Sequence, residues 1–255
     1  MKSVKLYGYA NSPFVRKTAC FLYYKEIEFE HIPVNPIEPH TTIGFTNKTR
    51  VPVLKIGEDW KLESSEHAFW LDEVFPEKPL CPRTGESRIR EIDNWISNTY
   101  LTSLFRLAID GEINLDFRRI AWRLAALISA HTPLPEKIRN KWPDILQHAP
   151  FIQDMACHMN LDESYKDMQS KIILELANHI GEGPYIGGFE TPTMLDLAVY
   201  PNIIWNYTFG LDDQLSVAKN PIIMSWLQRI SKHLPANPCL TPDNMMINNP
   251  ESFIA

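Results

Sequence analysis

Three short signals in the first third of the chain, in one order, constrain its fold more than anything else in its 255 residues. Val4-Lys5-Leu6-Tyr7 reads as an apolar strand and runs into Tyr9-Ala10-Asn11-Ser12-Pro13-Phe14, where Ser-Pro opens a helix. Arg50-Val51-Pro52-Val53-Leu54 follows about forty residues later, and Leu62-Glu63-Ser64-Ser65 about a dozen beyond that. Around them the pattern predicts helices over Pro13–Lys25 and Ser64–Val74, with strands over Glu28–Val34 and Val53–Ile56 and a last one starting at Lys61. A β-α-β unit followed by β-β-α describes a small mixed sheet with helices packed on it.

Proline suits the first helical position, because its missing N–H would go unused and its φ is already helical. Ser12 is then the N-cap, with its hydroxyl at the positive end of the helix dipole. A serine so placed is most often a plain cap, but it can also donate a hydrogen bond to a thiolate. A thiol of pKa ~8.5 must drop about two units to ionise at neutral pH, which is ~2.7 kcal/mol. A hydrogen bond to a charged group supplies ~1.5–3 kcal/mol and a helix end ~0.3–1, or ~2 when partly buried. One hydroxyl and one helix end suffice without a general base.

Pro52 sits inside an apolar run and cannot donate to a ladder, which marks an edge or a bend. Ser64 precedes Ser65-Glu66-His67-Ala68-Phe69-Trp70-Leu71 and opens an amphipathic helix with Ala68, Leu71 and Phe75 on one side. A helix start of this kind also takes anions.

Together these motifs resemble the N-terminal domain of the cytosolic glutathione transferase superfamily, in its serine-type branch with tau-, omega- and zeta-like features. The resemblance covers about residues 3–80 well and 86–235 loosely. It implies an α/β thioredoxin-like domain followed by an all-α helical bundle, with glutathione as co-substrate and no metal. It makes Ser12 the catalytic residue, with Phe14 beside it in the glutathione site. Val51, before a cis Pro52, would pair through its main chain with the cysteinyl unit of glutathione. Glu63 and Ser64 would hold the γ-glutamyl end. Where plant serine enzymes carry lysines for the glycyl carboxylate, this chain has His40 and Thr49-Arg50. Arg50 can replace a lysine and bind a carboxylate bidentately. Glu66 and His67 stand where the family has small or aliphatic residues, and His67 reads as a satisfied helix histidine.

Prolines 76, 79 and 82 punctuate a linker, so the domains are read as 1–82 and 86–235, with a polar tail from 236 to 255. Ile89, Ile92, Trp95, Ile96, Thr99 and Leu104 predict one long amphipathic helix over Ser87–Leu107, and Phe117–Ile128 another. Four prolines between His131 and Pro150 mark a long connector. Helix resumes over Phe151–Ile180, with a break near Asn160-Leu161-Asp162. Thr193 to Asp196 has capping-box spacing, although Thr191 before Pro192 is a rival cap. The family's Thr/Ser-x-x-Asp box favours Thr193 and Asp196, in a structural role. A last helix covers Pro221–His233.

A net charge of −6 without a Lys/Arg block argues against a nucleic-acid surface. Four scattered cysteines, Cys20, Cys81, Cys157 and Cys239, and a start directly on a strand are read as a cytoplasmic protein with reduced thiols. Cys20 lies two turns into the first helix and reads as a small buried residue. Asp93, Asp110 and Asp116 read as solvated helix charges.

The resemblance thus implies a detoxifying transferase that ionises glutathione at Ser12 and presents the thiolate to an apolar electrophile. Its pocket is expected between the first helix and Ser87–Leu107, with Tyr9, Tyr100 and Phe105 as wall candidates. The connector and tail are expected to shape this side and to leave the glutathione side alone. The alternative is a non-catalytic ligand-binding or protein-interaction module of the same fold. A homodimer is expected, the N-terminal domain of one subunit on the long helix of the other. The electrophile stays open, as does the choice among conjugation, isomerisation, dehalogenation, ether cleavage and peroxide reduction.

Overall fold

The computed structural model describes residues 2–109, 115–181, 183–210 and 217–254. Strand β1 (Val4–Gly8) pairs in parallel with β2 (Glu30–Pro33) and antiparallel with β3 (Val53–Ile56), and β3 pairs antiparallel with β4 (Asp59–Lys61). The sheet order is β2-β1-β3-β4. β4 ends at Lys61, where the sequence pattern has it starting. Helix α1 (Pro13–Tyr24) packs on β1 through Val15, and Gly8 makes the approach possible: a Cβ there would stand 2.3 Å from a Val15 methyl. The single turn α2 (His40–Ile43) and helix α3 (Ser64–Val74) complete the expected thioredoxin-like half.

The linker is tied down by charge. Lys25 donates to Asp72 at 2.7 Å and to the carbonyls of Glu77 and Lys78, while Asp72 accepts from the amides of Leu80 and Cys81. Asp93 is not solvated. It is buried and forms a 2.6 Å ion pair with buried Lys17, joining α1 to the first helix of the second half. Breaking such a pair costs ~3–5 kcal/mol, because the surviving charge is left uncompensated. Asp110 lies outside the described residues, and so does the side chain of Asp116.

The second half is helical. Its first helix is shorter than the apolar pattern predicts: α4 (Glu86–Trp95) passes into a π-helical turn at Ile96–Tyr100, then α5 (Leu101–Ser103) and α6 (Arg106–Ile109). The Ser97–Ser103 stretch is rich in short polar side chains that compete with the backbone ladder. Thr102 Oγ1 donates to the Asn98 and Thr99 carbonyls, and Ser103 Oγ to that of Tyr100. Helix α7 (Leu115–His131) follows.

The connector is not structureless. It forms α8 (Glu136–Asn140) and α9 (Trp142–Gln147) before α10 (Pro150–Ala156), because Pro135, Pro143 and Pro150 stand at helix starts and so open helices. These helices share a small core of their own: Ala121, Ala125, Ile128, Leu134, Trp142 and Ile152. The break before α11 (Tyr165–Gly181) is held by buried Arg106, which donates to the carbonyls of Asn160, Leu161 and Glu163.

Helix α12 (Met194–Thr208) is buried along its length except at Tyr207, as a helix apolar all round must be. Thr193 is its cap, and the Thr193–Asp196 box is complete. α12 runs antiparallel to α1: Arg16 meets Asn202 and Trp205, and Tyr24 lies near Asp196. Helix α13 (Pro221–Ile230) and a 3₁₀ turn at Ser231–His233 match the last predicted helix. The tail folds back. The amides of Ile247 and Asn248 cap the Thr208 carbonyl at 2.8 and 3.3 Å, and Phe253 of α14 (Pro250–Ile254) stacks on Tyr207.

Candidate functional site

Strand directions bring the sequence signals together. In the β1–β3 register Tyr7 faces Val53, so the chain leaving β1 toward Ser12 and the chain entering β3 through Val51-Pro52 share one end of the sheet. β4 ends at that same end with Lys61 opposite Leu54, which delivers Glu63 and Ser64 there. β2, parallel to β1, leaves by the same end toward His40. Four separate segments therefore converge at one sheet edge, above the N-termini of α1 and α3.

Ser12 has extended backbone angles and caps α1, accepting from the Val15 amide at 3.4 Å. Its own amide donates to the Tyr9 carbonyl at 3.0 Å. Its hydroxyl proton has no acceptor among the described residues, and the side chain is half-buried. Phe14, also half-buried, anchors the first turn against the main core. The Val51–Pro52 bond is cis, as the resemblance implied. Val51 packs between two apolar clusters, and among the described residues its amide and carbonyl form no backbone hydrogen bond. Ser64 is buried at the first position of α3, and its hydroxyl has no protein partner among the described residues, while Glu63 before it is exposed.

The glycyl-end candidates are less gathered. Arg50 is 79% exposed and stands 3.9 Å from Asp154 of α10. Helix α10, just past the connector, thus reaches Arg50. His40 is exposed at the start of α2 and forms no hydrogen bond or ion pair with the other candidates. Among the wall candidates, Tyr100 is buried in the core, Tyr9 is half-buried, and Phe105 packs edge-on against Phe151 of α10.

His67 is a structural histidine. Its ring lies 3.0 Å from Thr18 Oγ1 and 2.9 Å from the Lys61 carbonyl, and burial pushes its pKa down to about 3. Cys20 is fully buried, and burial holds its thiol well above the ordinary range. Sequence reasoning passed over Arg16 and Lys17, both buried beneath the Ser12 turn. Arg16 shares the α1 face of Cys20 and Tyr24 at i, i+4 spacing. A charge on an otherwise apolar stripe was the available signal.

A family model described as Glutathione S-transferase, N-terminal domain, matches residues 6–79. No curated protein sequence matches the chain. Among solved structures, beta-etherase LigF from Sphingobium sp. strain SYK-6 is 21% identical, with a TM-score of 0.60 over 90% of this chain and 95% of that one. Glutathione transferase F7 from Populus trichocarpa is 16% identical, with a TM-score of 0.59 over 99% of each chain. Maleylacetoacetate isomerase from Anaeromyxobacter dehalogenans 2CP-1, solved with dicarboxyethyl glutathione and citrate in its active site, is 16% identical. Its TM-score is 0.54 over 95% of each chain. Among the described residues no helix is long and apolar enough to cross a membrane. With residues 6–79 matched by the family's N-terminal-domain model and the fold shared along nearly its whole length with these structures, the chain has the glutathione transferase fold.

Proposed function

We propose that the protein is a serine-type glutathione transferase that ionises glutathione at Ser12 and passes the thiolate to an apolar electrophile. The observation that carries this reading is the convergence, at one sheet end, of a hydroxyl proton and a main-chain edge without partners among the described residues, and a second helix start. The cysteinyl unit pairs with the Val51 main chain beside Pro52, as an added strand pairs with a free edge. The α3 amides and the Ser64 hydroxyl take the γ-glutamyl carboxylate, and Glu63 takes the amino group. Phe14 sets the apolar floor of the first turn. Arg50 receives the glycyl carboxylate, with His40 at the start of α2 as the second cation proposed for it. Arg50 leaves Asp154 at little cost, since an exposed pair is worth ~0–1 kcal/mol. Ser12 then donates to the sulfur as the α1 dipole stabilises its charge.

The test is retention on immobilised glutathione, elution by free glutathione, and turnover with a generic aryl halide. Arg50→Ala should weaken glutathione binding about tenfold, the value of one partly exposed charge-assisted bond. A chain that is not retained contradicts the proposal. Retention without turnover of any electrophile would favour the ligand-binding module instead.

The free cysteines fit a reducing cytoplasm. We further propose a homodimer, in which exposed Phe45 and Trp60, in edge-on contact at the β4 edge, supply apolar surface of the kind such interfaces bury. Light scattering at micromolar concentration should give twice the chain mass, and a monomer there contradicts it.

A further inference from the structure

The amide of Arg16 closes the first turn of α1 on the Ser12 carbonyl at 3.1 Å. Its side chain is 1% exposed. Nε and Nη2 donate to Asn202 Oδ1 at 3.2 and 2.7 Å, and Nη1 donates to the Ala10 carbonyl at 3.1 Å. The guanidinium lies 4.1 Å from the centre of the Trp205 ring. Among the described residues no carboxylate pairs with it.

Its titratable neighbours are Cys20, Cys239 and Tyr100. Burial pushes Cys239 up to about 12 and raises Cys20 and Tyr100 well above their ordinary values, so all three are neutral at pH 7. The same burial lowers Arg16 only to about 10, which leaves it charged. Buried charges are ordinarily paired, because desolvating a lone one is costly. Even a buried ion pair can often be replaced by packed apolar groups at no loss of stability. Stability alone therefore gives little reason for a lone cation directly beneath the Ser12 turn.

We propose that Arg16 is the electrostatic positioning residue of this site: its unpaired buried charge lowers the pKa of a thiol held at Ser12, and its bond to the Ala10 carbonyl sets the loop that carries the hydroxyl. The proposal rests on the reading of Ser12 as the residue that faces a thiol. Asn202 and Trp205 hold the guanidinium by a neutral acceptor and a ring face, contacts that fix its place and leave its charge unneutralised. The field acts through low-dielectric protein and so is little screened.

The experiment needs no glutathione. In a Cys157→Ser background, which removes the exposed cysteine and leaves three buried ones, Ser12→Cys places a reporter thiol at the site. The pH dependence of its alkylation by iodoacetamide gives its pKa. Adding Asn202→Asp sets a carboxylate against the guanidinium with almost no change in volume, and Arg16→Met removes the charge outright. Each should raise the reporter pKa by about one unit, a tenfold loss of thiolate at pH values below it. If Arg16→Met does not fold, Asn202→Asp decides alone. A folded variant whose reporter pKa stays within about 0.2 units of the parent, even with a shifted melting point, overturns the proposal and leaves Arg16 a packing residue. Failure of the glutathione reading would show separately, as loss of retention on glutathione.

Discussion

Asp196→Ala is expected to cost about 3–5 kcal/mol of stability, as much as breaking the buried Lys17–Asp93 pair. The carboxylate is fully buried at the start of α12 and accepts four hydrogen bonds. Trp226 Nε1 donates at 2.8 Å, the Thr193 amide at 2.9 Å, the Ile186 amide at 3.0 Å and the Thr193 hydroxyl at 3.3 Å. Alanine would strand these donors in a dry core, and each orphaned donor costs ~1–3 kcal/mol, less than additively. Asp196→Asn keeps one acceptor and should cost roughly half as much.

The carboxyl also carries a pH signature. Burial outweighs the four donors and pushes its pKa up from 3.8 to about 6. A carboxyl raised in the fold favours the protonated folded state. Its contribution is therefore fullest below about pH 4 and is lost as pH rises through about 6. Chemical denaturation of the wild type and of Asp196→Asn across that range checks both size and sign. A loss below ~1 kcal/mol for alanine would show that other groups can satisfy the donors.

Ser12→Ala is the functional counterpart. It should lower turnover near neutral pH by about 10–100-fold, because the lost charge-assisted bond was worth ~1.5–3 kcal/mol. Partial recovery is expected at higher pH, where the thiol ionises unaided. Folding should suffer little. The cap bond to Val15 is long, at 3.4 Å, so its loss belongs near the low end of the ~0.5–2 kcal/mol range for caps. Glutathione affinity should hold as well, since the proposed site also holds the tripeptide through Val51, Glu63 and Ser64. Steady-state rates over pH, with a melt of each variant, separate these effects.

Local chemistry was legible in the sequence; chemistry between distant residues was not. Ser12-Pro13, Val51-Pro52 and the Thr193–Asp196 box are each written within a few residues. Each took the expected form because a cap or a bend depends on its immediate neighbours. Lys17 and Asp93 meet from either side of the linker, and Arg16 meets Asn202 from 186 residues away. No periodicity announces either partner. The π-helical turn at Ile96–Tyr100 escaped an apolar-spacing argument because Ser, Asn and Thr side chains set the backbone there. Four prolines mark a connector in the sequence, and in the fold three of them, Pro135, Pro143 and Pro150, stand at helix starts. Their neighbours decide whether prolines break or open helices, and Trp142 and Ile152 needed the helices to reach their small core.

The most direct test of the central claim is the pKa of glutathione's thiol when bound, read from thiolate absorbance over pH in wild type and Ser12→Ala. The wild-type value should lie about two units below the free thiol's ~8.5 and rise by about one to two units in the variant. Equal values in the two proteins, or a bound thiol that titrates like free glutathione, would contradict that claim and leave Ser12 only a helix cap.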